Sequence, residues 1–319
     1  MMFNFRRKIS IGIAAENRPA ERRVVLLPRQ LRHLARHHRI MVEKGAGLGI
    51  GITDADYASA GIKVVPKDKV YKADLVVRIT APREGELKLM KPGKFVMCML
   101  HVRARPRLAG LLRKYRINVI ALEEIRNQFN ERRVEALHET GYLGMTTGFD
   151  LWGKDPARAM VKVMGYGHVA WGAVQAAARK FSRVIILNKR DINEMDKHLP
   201  GTDILVNALN WPYDLRGRVF LVKRQMLKLL KPGAVIVDLV ANPEGQSPIE
   251  TCRPTTLADL SYKVDGVIHT CCWGWPGLDP ESITKRYSIQ IGPILSDIVK
   301  KGLNALPPYL VKAVFKGKQ

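Results

Sequence analysis

The chain has 319 residues, 46% of them hydrophobic, and carries 53 basic against 29 acidic side chains for a net charge of +24. That length supports two cored domains. No apolar run reaches the roughly 18 to 20 residues of a membrane span, and so positive a field favours anionic partners such as nucleotides and carboxylates.

The N-terminal stretch MMFNFRRKISIGIAAE has too short an apolar core for a signal peptide: Gly12 breaks it and Glu16 ends it. A first strand, ISIGIAA, and a cytoplasmic protein are expected. Pro28 opens a helix with Leu31 and Leu34 at helical spacing. IMVEKG follows as a strand, TDADYASAG as a helix capped by Thr53, and IKVV as a strand. ADLVVRIT, KFVMCML and INVIAL read as further strands, with helices EGELKLM and PRLAGLLRKY between them. This substrate domain is expected to span residues 1–124.

The stretch 131–152, ERRVEALHETGYLGMTTGFDLW, predicts a long linking helix at the start of a dinucleotide-binding domain over 125–278. Within it, AMVKVM, RVIIL, DILVNAL and GAVIVDLVA read as strands and KRQMLKLL as a helix. From Asp279 the chain predicts a C-terminal helix, residues 279–319, returning to the first domain. The expected class is α/β: two Rossmann-like domains with parallel sheets and a cleft between them.

Cys98, Cys252, Cys271 and Cys272 contain no CxxC pair. Buried, reduced thiols are expected, and no metal. The basic concentrations RRKI, RQLRHLARHHR and VKAVFKGKQ read as solvated surface. No zinc finger or aromatic RNA-binding motif accompanies them, so a nucleic-acid partner is not expected. A homodimer is the expected assembly for such folds.

MGYGHVAWGA carries Gly165-x-Gly167, with Ala170 at the third-glycine position and Gly172 two residues later. A strand precedes it and a helix follows. This is the setting in which the first glycine makes the turn and the second lets a pyrophosphate reach the helix N-terminus. His168 and Val169 after the loop, and Asn207 and Ala208 at the end of a later strand, complete the expected cofactor set. The second strand, VIILNKRD, ends in Asn188, Lys189 and Arg190 where an NAD site needs an acid. An acid would repel a 2′-phosphate, whereas arginine presents it a matched fork. The expected cofactor is NADP(H).

IGIAAENRPAERRVVLLP, VEKGAGLGIGITDADYASAG, ADLVVRITAP, FVMCMLH and LKPGAVIVDLVANPEGQSPIETCRPTT follow one another in an order that resembles alanine dehydrogenase and the transhydrogenase α-subunit N-terminal domain. Within that family the chain looks most like the N5-(carboxyethyl)ornithine synthase branch, through the basic strand end and the short link to TDILVNAL. Fungal-type saccharopine dehydrogenase is a related branch. The resemblance implies that Arg23 holds a substrate carboxylate and that His101 is the acid/base group. It places Arg78 at a substrate-binding lysine and Asn242 at an aspartate. Those two departures point to a more anionic substrate than alanine, with Arg78 a carboxylate clamp.

Trp273 and Trp275 in CCWGWPGL are candidate walls of the substrate site, and interdomain packing is the equal alternative. The expected activity is NADPH-dependent, opine-type condensation of a 2-oxo acid with an amino compound. An alanine or other amino-acid dehydrogenase, and a degenerate NADP(H)-binding regulator, are the alternatives.

Overall fold

The computed structural model describes residues 9–317. The basic residues 6–8 and the last two residues of the basic tail lie outside that range.

In chain order the described elements begin with β1 (Ser10–Ile13), α1 (Pro28–Ala35), β2 (Arg39–Glu43), α2 (Asp54–Ser59), β3 (Lys63–Val65) and α3 (Lys67–Val70). β4 (Leu75–Thr80), α4 (Glu84–Leu87), β5 (Phe95–Met99), α5 (Pro106–Tyr115) and β6 (Asn118–Ala121) follow. Then come α6 (Leu137–Trp152), β7 (Met160–Met164), α7 (His168–Arg179), β8 (Arg183–Leu187), α8 (Met195–His198) and β9 (Ile204–Asn207). β10 (Val235–Asp238), β11 (Tyr262–Val264), β12 (Val267–Thr270), α9 (Pro280–Lys301), α10 (Pro308–Val311) and β13 (Val314–Phe315) close the list.

Two compact units result. Met1–Glu135 with Pro280–Gln319 form the first, and Ala136–Asp279 the second. The first holds a seven-stranded sheet in the order β13-β6-β5-β4-β1-β2-β3; the second holds six strands in the order β11-β12-β10-β9-β7-β8. Both are doubly wound α/β sheets. Each also carries one antiparallel edge, β13 on β6 and β11 on β12. Neither edge strand was legible in the sequence.

In the first unit the central strands are apolar on both faces, as a sheet covered on both sides requires; β4 is buried from Leu75 to Thr80. α9 belongs to this unit. Thr284 Oγ1 accepts from Val24 N at 3.3 Å and Ser288 Oγ from Leu27 N at 2.7 Å, while Leu26 O accepts from Tyr57 Oη at 2.8 Å. These bonds fix the extended segment that carries Arg23. Thr53 caps α2 with a full capping box to Asp56.

Three expectations need correction. The linking helix starts at Leu137 rather than 131. Ahead of it, Asn127 Oδ1 accepts from the Phe129 and Glu131 amides and closes a turn, with Arg126 bridging Arg132. A side chain that satisfies local amides competes with the helix there. The first unit therefore runs to Glu135 instead of 124. KRQMLKLL winds as a 3-10 segment, Arg224–Leu229.

Candidate functional site

The second unit builds a loop at the carboxyl ends of β7, β9 and β10. Register pairs Met164 with Asn207 and Asn207 with Asp238, so the three strand ends share one edge of the sheet. β8 lies on one side of β7 and β9 on the other, both parallel to it, so the order of strands reverses at β7, where open α/β sheets bind their ligands.

Gly165 takes φ +99°, and a Cβ there would sit 3.1 Å from Ala208 O. Gly167 is different. Its φ of −73° suits any residue, and no protein atom lies within 4 Å of an added Cβ. The protein's own packing makes no use of a glycine at 167. What it leaves is open space before the first turn of α7, whose N-cap makes no side-chain hydrogen bond. Unpaired amides at a helix start form an anion site. His168 is exposed, Val169 half-buried and Ala170 buried.

Gly172 serves packing instead of ligand. A Cβ on it would lie 1.9 Å from His138 O, and one on Gly141 would lie 1.8 Å from Val169 O. The two glycines let α6 and α7 touch backbone to backbone.

Asn207 is fully buried at the end of β9. Its Oδ1 accepts from Leu209 N at 3.2 Å and its Nδ2 has no partner. Asn242 is 4% exposed and its Nδ2 is likewise orphaned. Ala241 before it holds φ +51°. Asp238 fixes this loop by accepting from Val240 N, Ala241 N and Ser247 Oγ. Buried amides without partners are costly. Two of them at the carboxyl ends of adjacent strands are donors that the acceptor oxygens of a nicotinamide dinucleotide would satisfy.

Beyond β8, Asn188 Oδ1 accepts from Arg190 N at 2.8 Å, and Asn188 N donates to Asp191 Oδ2 at 2.8 Å. The nearest acid is thereby committed to the turn. Lys189 and Arg190 are exposed and form no ion pair among the described residues. Two exposed cations thus follow the carboxyl end of β8.

The two tryptophans part company. Trp275 is 2% exposed and donates through Nε1 to Asp238 O, inside the core of the second unit. It packs there beside Gly144 of α6. Trp273 is half-buried, its backbone amide on Thr255 O.

In the first unit Arg23 is 4% exposed. Its Nε donates to Glu21 Oε1 at 2.7 Å and its Nη2 to Glu21 Oε2 at 2.5 Å, leaving Nη1 without a partner among the described residues. Burial alone would lower its pKa; the Glu21 carboxylate more than offsets this.

Arg78 departs from the expectation of a carboxylate clamp. It is fully buried, with Nη1 on Tyr71 Oη at 2.6 Å and Glu86 Oε2 at 2.8 Å. Its Nη2 reaches Thr80 Oγ1, Glu16 Oε2 and Asn17 Oδ1 at 3.1, 3.3 and 3.3 Å. Two carboxylates neutralise it, so it adds no positive charge to a pocket. Its role here is to position Glu16 and Glu86. Burial would raise the Glu86 pKa, yet Arg78, the Arg83 amide and Lys67 hold it at about 2.

His101 sits just past β5 in the left-handed region at φ +47° and is about half-exposed. The Glu123 carboxylate accepts from Leu100 N and His101 N, and lies 3.7 Å from His101 Nδ1. β5 and β6 are neighbours, so the sheet itself brings histidine and acid together. Burial lowers the His101 pKa below the ordinary imidazole value, with Arg105 and Arg132 adding and Glu123 opposing. That shift favours the neutral imidazole, the form able to accept a proton.

Arg18 is half-buried, forms no ion pair among the described residues, and lies within electrostatic reach of Arg23, Arg78, Glu16 and Glu21. Arg105 is held down to about 10, by burial first and then by Arg18. Sequence reasoning missed Glu16, Arg18, Glu86, Arg105 and Glu123. Their only signal was position, at or just beyond the carboxyl ends of apolar strands. No group able to hold a metal occurs among the described residues, and no described helix is long and apolar enough to cross a membrane.

Comparison with known proteins gives matches over most of the chain. Residues 12–142 match the alanine dehydrogenase/PNT N-terminal domain, and residues 181–309 its C-terminal domain. The glycine loop falls between the two matches. Alanine dehydrogenase 1 of Staphylococcus aureus is 26% identical over 92% of this chain and 88% of its own length. Among solved structures, an L-alanine dehydrogenase superposes with a TM-score of 0.83 at 24% identity, covering 98% of this chain and 96% of its own. A transhydrogenase from Sinorhizobium meliloti does so at 0.76 and 21%, covering 91% and 94%. These likenesses establish the two-domain Rossmann-like fold.

Proposed function

Because the chain belongs to the alanine dehydrogenase/PNT family, we propose that it is an NADPH-dependent oxidoreductase acting on carbon–nitrogen bonds. Within that class we propose reductive condensation of a 2-oxo acid with an amino compound. The bound cofactor supplies the hydride and the protein supplies position and charge. Gly165, Gly167 and the start of α7 take the pyrophosphate. Lys189 and Arg190 take the 2′-phosphate. Asn207 and Asn242 supply donors at the strand ends.

The observation that carries the cofactor assignment is the end of β8, where two exposed cationic side chains form no ion pair among the described residues and the nearest acid is bound to its own turn. In the first unit Arg23, paired with Glu21, keeps one guanidinium nitrogen for a carboxylate, and half-buried Arg18 adds a charge with no ion pair among the described residues. His101 exchanges a proton with the carbonyl oxygen or nitrogen as water leaves the condensing pair and the imine is reduced. Asn242, in place of the aspartate that the resemblance implies, removes a charge that would hold a small ammonium group. That favours an amino-acid nucleophile over ammonia.

Alanine dehydrogenase activity is the second reading, favoured by the relatives' names. Steady-state oxidation of NADPH and NADH separates the two, run with a 2-oxo acid plus either ammonium or a panel of amino acids. The proposal expects NADPH turnover that needs an amino acid. Turnover with ammonium and NADH alone would select the second reading.

A further inference from the structure

β8 is an edge strand with the sequence of an interior one. Val184, Ile185, Ile186 and Leu187 form an unbroken apolar run, the pattern of a strand covered on both faces and flanks. Yet the sheet ends at β8, and Ile185 and Ile186 are 43% and 39% exposed. Alternation puts Ile186 on the face that Val184 shares with α7, and Ile185 on the face of buried Leu187. Phe181, in the turn just before β8, is 83% exposed, and Trp171 on α7 is 60% exposed.

The other three sheet edges look different. β3 and β11 have three residues and β13 two. β3 carries Lys63, β11 carries Lys263, and Lys312 and Lys316 flank β13. Short strands and lysines are how edges are kept from pairing. The five-residue β8 has neither device beyond Arg183 at its start.

We infer that β8 is the pairing edge of a homodimer, adding antiparallel to β8 of a second copy across a two-fold axis. A register centred on Ile185 sets Val184 opposite Ile186 and Arg183 opposite Leu187, with Phe181 and Trp171 flanking the ladder. No like charges oppose each other directly, and the apolar residues meet. The area suffices. Two aromatic side chains offer about 150–250 Å² each when covered, and two isoleucines and the strand's open main chain add to them. Doubled by the two-fold, this is on the order of the 1,000 Å² that a specific interface needs. The net charge of +24 opposes association at long range, so salt strengthens the dimer by screening it. An acidic foreign partner would show the reverse.

Light scattering on the purified full chain at micromolar concentration tests this. The unmutated protein is expected at twice the single-chain mass, more so as salt rises. Ile185→Lys places two ammonium groups across the axis and is expected to run as a monomer, its dimer at least tenfold weaker. Phe181→Asn is the milder variant, because asparagine accepts the φ of +59° held at that position. Its dimer is also expected to weaken. Unchanged far-UV circular dichroism and a melt that stays cooperative show that both variants fold, their melting temperatures falling only by the stabilisation that association supplied. A monomeric unmutated protein, or a dimer that neither substitution weakens, would overturn the inference.

Discussion

Gly167→Ala and Gly172→Ala are expected to fail in opposite ways, and the comparison tests the nucleotide loop without touching a charged group. At Gly167 the added methyl meets no protein atom within 4 Å, and the φ of −73° is ordinary. The folded state loses only a favoured N-cap residue, about 0.5 kcal/mol. The stiffer unfolded chain returns about 0.4–1 kcal/mol. Stability is therefore nearly unchanged. The methyl occupies the space before α7 that the pyrophosphate needs. A misfit of about 1–3 kcal/mol weakens NADPH roughly 5- to 150-fold. At Gly172 the methyl would lie 1.9 Å from His138 O, so α6 and α7 must move apart. An overpacking cost of about 1–3 kcal/mol lowers the melting temperature by roughly 2–12 °C for a domain of this size. Thermal melting and fluorescence titration with NADPH read both effects. A folded Gly167→Ala protein that binds NADPH like the unmutated one would refute the reasoning.

Other perturbations separate the remaining roles. Arg190→Ala should lose a charge-assisted contact of about 1.5–3 kcal/mol, roughly ten- to a hundredfold in NADPH affinity, with NADH hardly affected; equal losses for both cofactors would contradict the 2′-phosphate assignment. His101→Gln should lower kcat by about two to four orders of magnitude with NADPH affinity intact, and unchanged turnover would make the histidine structural. In the unmutated enzyme the pH limb of kcat should fall below the ordinary imidazole value. Glu123→Gln should move it lower still, because the carboxylate stabilises the charged ring; a limb moving upward would refute that coupling. Arg78→Met should strand Glu16 and Glu86 and cost about 3–5 kcal/mol, seen as a large drop in melting temperature. An unchanged melting temperature would argue for the carboxylate clamp after all.

Strands β1 to β10 were legible because they are apolar runs whose period and length leave little choice, whereas the short β11, β12 and β13 were not. The glycine loop was legible because a strand, Gly165-x-Gly167 and a helix constrain one another. Helix onset at Leu137 was not, because the turn that delays it depends on one asparagine side chain satisfying two local amides. Arg78 was misjudged for a different reason. A basic residue in a strand of the substrate domain has the same sequence whether it faces ligand or interior, and its partners Glu16 and Glu86 come from other elements. Trp275 was ambiguous for the same reason, and only its bond to Asp238 O resolves it. Glu123 became relevant through sheet order, which sets β6 beside β5.

The central claim is that reducing equivalents pass from NADPH to a carbon–nitrogen bond joining two organic acids. NADPH carrying deuterium on the transferring face of C4, incubated with enzyme, a 2-oxo acid and an amino-acid panel, tests it by mass spectrometry of the products. The account predicts a secondary amine that retains both carbon skeletons and carries a single deuterium on the former oxo carbon. Deuterium found only in a primary amino acid formed from ammonium, or no transfer with any pair, would contradict it.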